Sequence, residues 1–282
     1  MRIGIVLSGG MSKGAYEIGC LKAISEYFTR DEIQCISASS IGVLNAYAFS
    51  KENLDELALA WKEIDIREAG SFFPSFSGNA TLIGKIRRMC AKNGVPEMSF
   101  YATVWNYTER KIEYVPFHKL SEQELADYMC ASVAIPIFNK GVRLKGCTMF
   151  DGAFLDNTPV YPLLEKNLDY IFCVYFDGQS YFFENEAFDR KIIKLYKFPI
   201  QKRLENMTFD PKRIDGMVTY GYEYTKNTIN QLFAVRDKEQ IDARLRAFEE
   251  KNKANATRRL TGDVLMTNLN KLTKRFAKRT IL

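Results

Sequence analysis

The 282-residue sequence contains a single histidine, His118. Any mechanism with a histidine base must therefore use that one residue. Six cysteines are present, Cys20, Cys35, Cys90, Cys130, Cys147 and Cys173, but no two form a C-x-x-C pair and most lie in apolar runs. This pattern fits free buried thiols in a reducing compartment better than a disulfide framework or a zinc site. No metal and no cofactor is expected. Long hydrophobic runs are also missing. The longest wholly apolar stretch, Tyr170 to Phe176, falls far short of the ~20 residues that span a bilayer. Near the N-terminus, Arg2 is followed only by Ile3 to Leu7 before Ser8, whereas a signal peptide needs an apolar region of about 7–15 residues. The expected location is cytoplasmic, with peripheral membrane association left open. Internal repeats and low-complexity tracts are absent.

The composition is 46% hydrophobic and 26% charged, with a formal net charge of +6. A chain so rich in apolar residues can bury a core, which excludes a disordered polymer, a coiled coil and a collagen-like repeat. Ile3 to Leu7 reads as a buried strand that runs straight into Ser8-Gly9-Gly10. Lys13 to Phe28 carries a helical stripe of Ala15, Ile18, Leu21, Ile24 and Phe28. Ile33 to Ser37 is a second strand, followed by helices from Ile41 to about Ser50 and from Leu54 to Ile64. Strand, tight turn and helix in repetition predict an α/β fold around a mainly parallel sheet.

The segment from Glu68 to Pro96 is weakly patterned and reads as an irregular loop or lid. Met98 to Asn106 and Lys111 to Pro116 alternate as a hairpin, and Glu122 to Ala131 is helical. Ile171 to Phe176 reads as the final buried strand of the core. Helices are expected over Phe188 to Leu204, Ile214 to Val235, Lys238 to Asn252 and Gly262 to Arg279. The expected organisation is a catalytic core over 1–180 and a helical, basic extension over 181–282 packed on it.

Three segments at strand ends carry candidate chemistry, the position where open α/β sheets place their sites. In Ser8-Gly9-Gly10-Met11-Ser12-Lys13-Gly14, a glycine turn opens a helix and presents unpaired backbone amides that suit a phosphate or an oxyanion. It lacks the Gly-Lys-Ser/Thr of a phosphate loop and the spacing of a dinucleotide fingerprint. Lys13 either adds charge to this site or is a solvated helix-start lysine. In Ser37-Ala38-Ser39-Ser40-Ile41-Gly42, a serine among small residues between strand and helix has the form of a nucleophile elbow with Ser40 at its apex. The alternative role of Ser39 and Ser40 is to cap the next helix. In Phe150-Asp151-Gly152-Ala153-Phe154, the acid is either a turn-forming aspartate or a base.

Taken together, these segments resemble the patatin-like phospholipase family. Leu7 to Tyr16 is similar to the family's glycine-rich oxyanion block, Ala38 to Gly42 to its G-x-S-x-G elbow, and Ala131 to Phe138 to the alanine-serine stretch before the catalytic acid. Asp151-Gly152-Ala153 resembles the D-G-G/A motif, continued by Asp156-Asn157-Thr158-Pro159-Val160. Met11 stands where the family has its third glycine and Ala38 where the elbow has its first. The resemblance covers residues 3–160 and implies a three-layer patatin-like fold.

It also implies a lipid acyl hydrolase of phospholipase A or carboxylesterase type. In that reading Ser40 is the nucleophile and Asp151 the base of a dyad without histidine. Gly9, Gly10, Met11 and Ser12 form the oxyanion hole, and Lys13, Gly14, Ile41, Gly42 and Gly152 support it. Apolar neighbours such as Phe150 and Phe154 would raise the proton affinity of Asp151. A phospholipid or other lipid ester is the implied substrate. A catalytically silent, membrane-associated binding protein on the same scaffold is the competing reading. From Lys251 onward nine basic residues stand against one acid, Asp263, and Leu265, Leu269, Leu272 and Phe276 form one stripe. That basic helix either docks on the core or lies on an anionic membrane. Nucleic-acid binding is not expected, because interleaved aromatics are missing from this tail.

Overall fold

The protein is described from a computed structural model over residues 1–62, 80–136, 139–176, 180–183, 185–196, 211–252, 257–259 and 279–281. The chain runs β1 (Ile3–Leu7), α1 (Gly14–Tyr27), β2 (Ile33–Ala38), α2 (Ile41–Ser50), α3 (Leu54–Lys62), α4 (Ala80–Asn93), β3 (Ser99–Asn106), β4 (Lys111–Pro116) and α5 (Glu122–Ser132). It continues with β5 (Val142–Leu144), β6 (Cys147–Asp151), β7 (Tyr170–Val174), β8 (Tyr181–Phe183), α6 (Glu186–Asp189), β9 (Ile192–Leu195), α7 (Pro211–Leu232), α8 (Lys238–Asn252), β10 (Thr257–Arg259) and β11 (Arg279–Ile281).

The central sheet has the order β11-β4-β3-β2-β1-β7-β9, with β6 also paired to β3 and β5 to β6. The strands β2, β1, β7 and β9 are parallel to their neighbours. Their sequences are near-continuous apolar runs because both faces are covered. In β1, Ile3, Ile5 and Leu7 enter the larger core, while Val6 enters a second core with Cys35, Ile171 and Cys173. Helix α2 is buried at every position, which explains its mostly apolar sequence; its two polar residues, Asn45 and Ser50, are hydrogen-bonded inside. The result is the α/β architecture expected, a central sheet flanked by helices.

The path of β3 decides where the site lies. One edge of β3 pairs with β4 from Tyr101 to Asn106. The other edge is shared. Its first half pairs with β2, ending at Ala38 opposite Ala102, and its second half pairs with β6, ending at Asp151 opposite Val104. The C-terminal ends of β2 and β6 therefore meet nearly head-on along one edge, two β3 residues apart, or about 7 Å.

Two stretches differ from the sequence expectation. The segment 68–96 was expected to be irregular, yet Ala80–Asn93 is helical, with Ile86 and Cys90 buried and Leu82, Ile83 and Met89 packed on the core; 63–79 lie outside the described residues. Gly84 inside the helix and Lys85, Arg87 and Arg88 around it mask that periodicity. Of the helix expected from Phe188 to Leu204, residues 188–196 instead form the end of the short α6 and then β9, which adds a parallel strand beyond β7; 197–204 lie outside the described residues. Strand β7 is thus not the last core strand. Lys194 interrupts the apolar run Ile192-Ile193-Lys194-Leu195, yet it is fully buried because Asp189 and Glu249 flank it at 3.1 and 2.7 Å.

The helices expected near 214–235 and 238–252 are α7 and α8. The helix expected over Gly262 to Arg279 lies outside the described residues, except for Arg279, which begins β11. Among the described residues no helix is long and apolar enough to cross a membrane. All six cysteines are free and five are buried.

Candidate active site

Ser40 closes the strand-to-helix turn between β2 and α2 with φ 52° and ψ −129°. This is a left-handed conformation that a non-glycine residue adopts only under constraint. The constraint is visible on both sides. The Ser39 amide donates to the Leu7 carbonyl at 3.0 Å, and the Val43 amide to the Ser40 carbonyl at 2.9 Å. Close packing beneath the turn needs Gly42, because a Cβ there would lie 3.0 Å from both the Leu7 Cβ and the Ser8 carbonyl oxygen. Ile41 is buried behind it. The Ser40 side chain sits at the positive N-terminal end of α2 and is partly open to solvent.

Asp151 is the last residue of β6 and is 3% exposed. Its amide donates to the Ala134 carbonyl at 2.9 Å, and its Oδ1 accepts from the Ala153 amide at 2.8 Å. Ser40 stands close enough to the same carboxylate for its hydroxyl to act on the carboxyl's proton affinity. Burial pushes the Asp151 carboxyl up to about 7, against the opposing pull of the Ser40 and Ala153 donors. Gly152 lets the chain turn here: a Cβ on it would lie 2.6 Å from the Thr103 carbonyl carbon and 2.7 Å from the Val104 nitrogen. Phe150 is 9% exposed and packs on Trp105 and Tyr107, and Phe154 is 62% exposed and stacks on Trp105.

The third element is the turn from β1 into α1. Met11–Lys13 forms a 3-10 turn that leads directly into α1 at Gly14. The first amides of such a turn have no intrahelical acceptor, which makes those of Gly10 and Met11 candidate donors to a ligand. A Cβ on Gly9 would lie 2.6 Å from the Ser40 Cβ, so this turn abuts the serine. The Gly9 amide, expected among the oxyanion donors, donates instead to Asn157 Oδ1 at 2.8 Å, while Asn157 Nδ2 returns a bond to the Gly9 carbonyl at 3.0 Å. A primary amide can clamp one residue from both sides in this way.

Met11 has φ 53°, the angle a glycine would adopt without strain. Ser12 is buried, and Lys13 places its Nζ 5.7 Å from the Phe176 ring centre. Met11→Gly is expected to change stability only slightly. Relief of about 1–2 kcal/mol of left-handed strain is offset by about 0.5–1 kcal/mol of added unfolded-chain freedom. Urea titration checks this; a loss well beyond the strain relief would show that the methionine side chain holds the turn.

The scaffold around these groups adds contacts to residues of the motif blocks, two of them from Thr103 and Tyr114, which lie outside those blocks. Ser39 Oγ and Thr103 Oγ1 lie 2.6 Å apart at the seam where β2 and β6 meet. Asp156 accepts from the Tyr114 hydroxyl at 2.7 Å and from the Thr158 amide at 3.2 Å, and Thr158 shares a hydrogen bond with Ser8 at 2.9 Å. Asp156 and Thr158 are marked by their place in the block that follows Asp151, whereas no local pattern marks Thr103 or Tyr114. His118 is elsewhere. Its Nδ1 accepts from the Phe100 amide at 3.1 Å, its ring meets Tyr101 edge-on, and burial lowers its proton affinity.

With that geometry in place, the comparisons with known proteins are informative. A search of curated proteins found no match. Among solved structures, the chain is similar to VipD from Legionella pneumophila at 13% identity and a TM-score of 0.44, covering 81% of this chain and 67% of that one. It is similar to the type III effector protein ExoU at 12% identity and a TM-score of 0.44, covering 82% and 53%. It also resembles the ExoU–SpcU complex from the type III secretion system of Pseudomonas aeruginosa, at 16% identity and a TM-score of 0.39, covering 96% and 63%. The chain thus spans between about half and two thirds of these proteins. Likenesses this distant add nothing to the assignment. The family model for patatin-like phospholipases matches residues 5–164, over half of the chain and every segment that builds the site. The chain belongs to the patatin-like phospholipase family, a family of lipid hydrolases.

Proposed function

We propose that this protein hydrolyses carboxylic esters of lipids through Ser40 and Asp151, as a phospholipase A or carboxylesterase. The observation that carries the reading is the strained Ser40 turn at the end of β2, set beside the buried carboxyl that ends β6 and whose pKa is raised to about 7. A carboxylate near that value can accept a proton at neutral pH and give it back.

Ser40 Oγ attacks the ester carbonyl carbon, and its proton passes to Asp151. The carbonyl π electrons move to oxygen, and the Gly10 and Met11 amides stabilise the resulting oxyanion. Collapse of this intermediate breaks the bond to the alcohol, which leaves with the proton from Asp151. Water then attacks the acyl-enzyme, giving its proton to the same carboxylate. The second collapse breaks the Ser40 ester, returns the proton to Oγ and releases the fatty acid. The N-terminal dipole of α1 adds positive potential at the oxyanion.

The lipid substrate is inferred from family membership. The peripheral membrane contact expected of the basic C-terminal helix rests on residues outside those described. The test is hydrolysis of phospholipid vesicles and of a water-soluble short-chain ester by three proteins. Ser40→Ala is expected to lower both rates by about 10⁴-fold or more, while His118→Ala keeps turnover. Full turnover in Ser40→Ala contradicts the assignment, and a dead His118→Ala with an intact fold would restore a histidine base.

A further inference from the structure

The β3–β6–β5 end of the sheet carries an aromatic patch that the hydrolytic steps do not use. The register sets Trp105 opposite Phe150, and Arg143 opposite Thr148. Side chains alternate along strands, so Trp105, Phe150, Thr148 and Arg143 share one face. The contacts agree. Trp105 meets Tyr107 at 5.3 Å and Phe150 at 6.0 Å between ring centres, and it stacks on Phe154 at 5.4 Å with 8° between planes. Arg143 Nη1 donates to Thr148 Oγ1 at 3.1 Å. Two of these rings are largely exposed, Phe154 at 62% and Tyr107 at 55%.

The patch adjoins the candidate site, since Phe154 ends the short turn that Asp151 caps. Gly141 lies against the Phe150 ring, at 2.9 Å from the position its Cβ would take, which brings Lys140 beside the patch. Arg110 lies in the same hairpin turn as Tyr107. Arg110, Lys140 and Arg143 are exposed and form no ion pair among the described residues, whereas Glu109 is held by Lys111 at 2.6 Å. The rim is therefore net positive.

We infer that this face, Trp105, Tyr107 and Phe154 with the Arg143 rim, seats on the surface of an anionic phospholipid bilayer. The inference rests on the lipid-hydrolase reading for its purpose, although not for its physics. Tryptophan and tyrosine rings favour the headgroup boundary, phenylalanine gains by entering the acyl edge, and cations are drawn to an anionic surface. Seating there would hold the Ser40–Asp151 site at the lipid.

The test uses full-length protein carrying Ser40→Ala, so that binding is read without turnover. Flotation with phosphatidylcholine vesicles, with and without phosphatidylglycerol, is compared for this protein and for Tyr107→Ser/Phe154→Ser and Arg143→Glu in the same background. The parent is expected to float with the anionic vesicles. The double variant is expected to bind at least about tenfold more weakly, since binding scales with buried apolar area, and Arg143→Glu is expected to lose the preference for phosphatidylglycerol. With Trp61→Phe added to the Ser40→Ala protein, Trp105 fluorescence shifts to the blue on vesicle addition; Ser40 is restored for the turnover control. The Tyr107→Ser/Phe154→Ser enzyme hydrolyses the water-soluble ester at the parent rate, which also reports its fold.

Undiminished flotation of the double variant overturns the inference, as does a parent that binds no vesicle or a variant with a lost soluble-ester rate. Binding through the patch by a protein that hydrolyses nothing would retain this inference and remove the hydrolase reading. A working hydrolase indifferent to the patch would do the reverse.

Discussion

Asp151→Asn is expected to lower ester hydrolysis by about 10²–10⁴-fold, the usual contribution of a positioned base, and to flatten its dependence on pH. The wild-type rate is expected to rise with pH through about 7, because Asp151 accepts a proton only when ionised and burial holds its pKa there. Stability runs in the opposite direction. The folded chain binds this proton more tightly than the unfolded chain, so the contribution is complete below the ordinary aspartate range and is lost as pH rises through about 7. A rise from 3.8 to about 7 corresponds to roughly 4 kcal/mol against the buried charge. Asparagine carries no charge and its Oδ1 can still accept from Ala153. The variant is therefore expected to gain stability relative to wild type as pH rises from the ordinary aspartate range to about 7, and to keep that gain above it, which urea titrations at about pH 4 and about pH 8 would measure. A wild-type rate without inflection near 7, or a stability difference that does not change with pH, contradicts the buried-base account.

The second large effect is expected far from the reacting atoms. A methyl group on Gly19 would lie 2.0 Å from the Val218 carbonyl oxygen and 2.6 Å from the Tyr222 nitrogen, and one on Gly221 would lie 2.2 Å from the Tyr16 carbonyl oxygen. Helices α1 and α7 thus touch backbone to backbone, and neither position has a flexible side chain that could give way. Gly19→Ala is expected to cost at least about 1–3 kcal/mol, as overpacked positions do. It should also reduce hydrolysis, because displacing α1 displaces the turn of Gly10 and Met11 at its start. Gly216 in α7 provides the control, since its Cβ would meet nothing within 4 Å. Gly216→Ala is expected to stabilise by about 0.5–1 kcal/mol, the ordinary gain in a helix interior. Equal effects at Gly19 and Gly216 in thermal unfolding would refute the close crossing.

Much of the sheet was legible because buried parallel strands are apolar on both faces, as in Ile3 to Leu7 and Tyr170 to Val174. The candidate site was legible for a different reason. A strained serine turn admits only small residues nearby, so Ala38 and Gly42 mark Ser40 in the sequence, and Gly152 marks the turn after Asp151. The meeting of Ser40 and Asp151, however, depends on β3 changing partners at Thr103, and no local pattern records which strand lies on which edge. The clamp of Asn157 on Gly9 is likewise a contact between residues remote in sequence. The helical reading fails over 188–196 because a strand with a buried lysine has no local signature: the Glu249 that partners Lys194 lies in α8, remote in sequence. Phe154 was expected to shield Asp151, but spacing alone could not show that its ring turns outward onto Trp105.

The central claim is that position 40 bears a nucleophile made reactive by Asp151. It is tested most directly by treating the full chain with a fluorophosphonate, which bonds only to an activated serine, and locating the adduct by peptide mass spectrometry. The account predicts a single adduct on Ser40, formed faster above pH 7 than below it and nearly absent in Asp151→Asn. An unlabelled wild-type protein, or an adduct on any other serine, would contradict it.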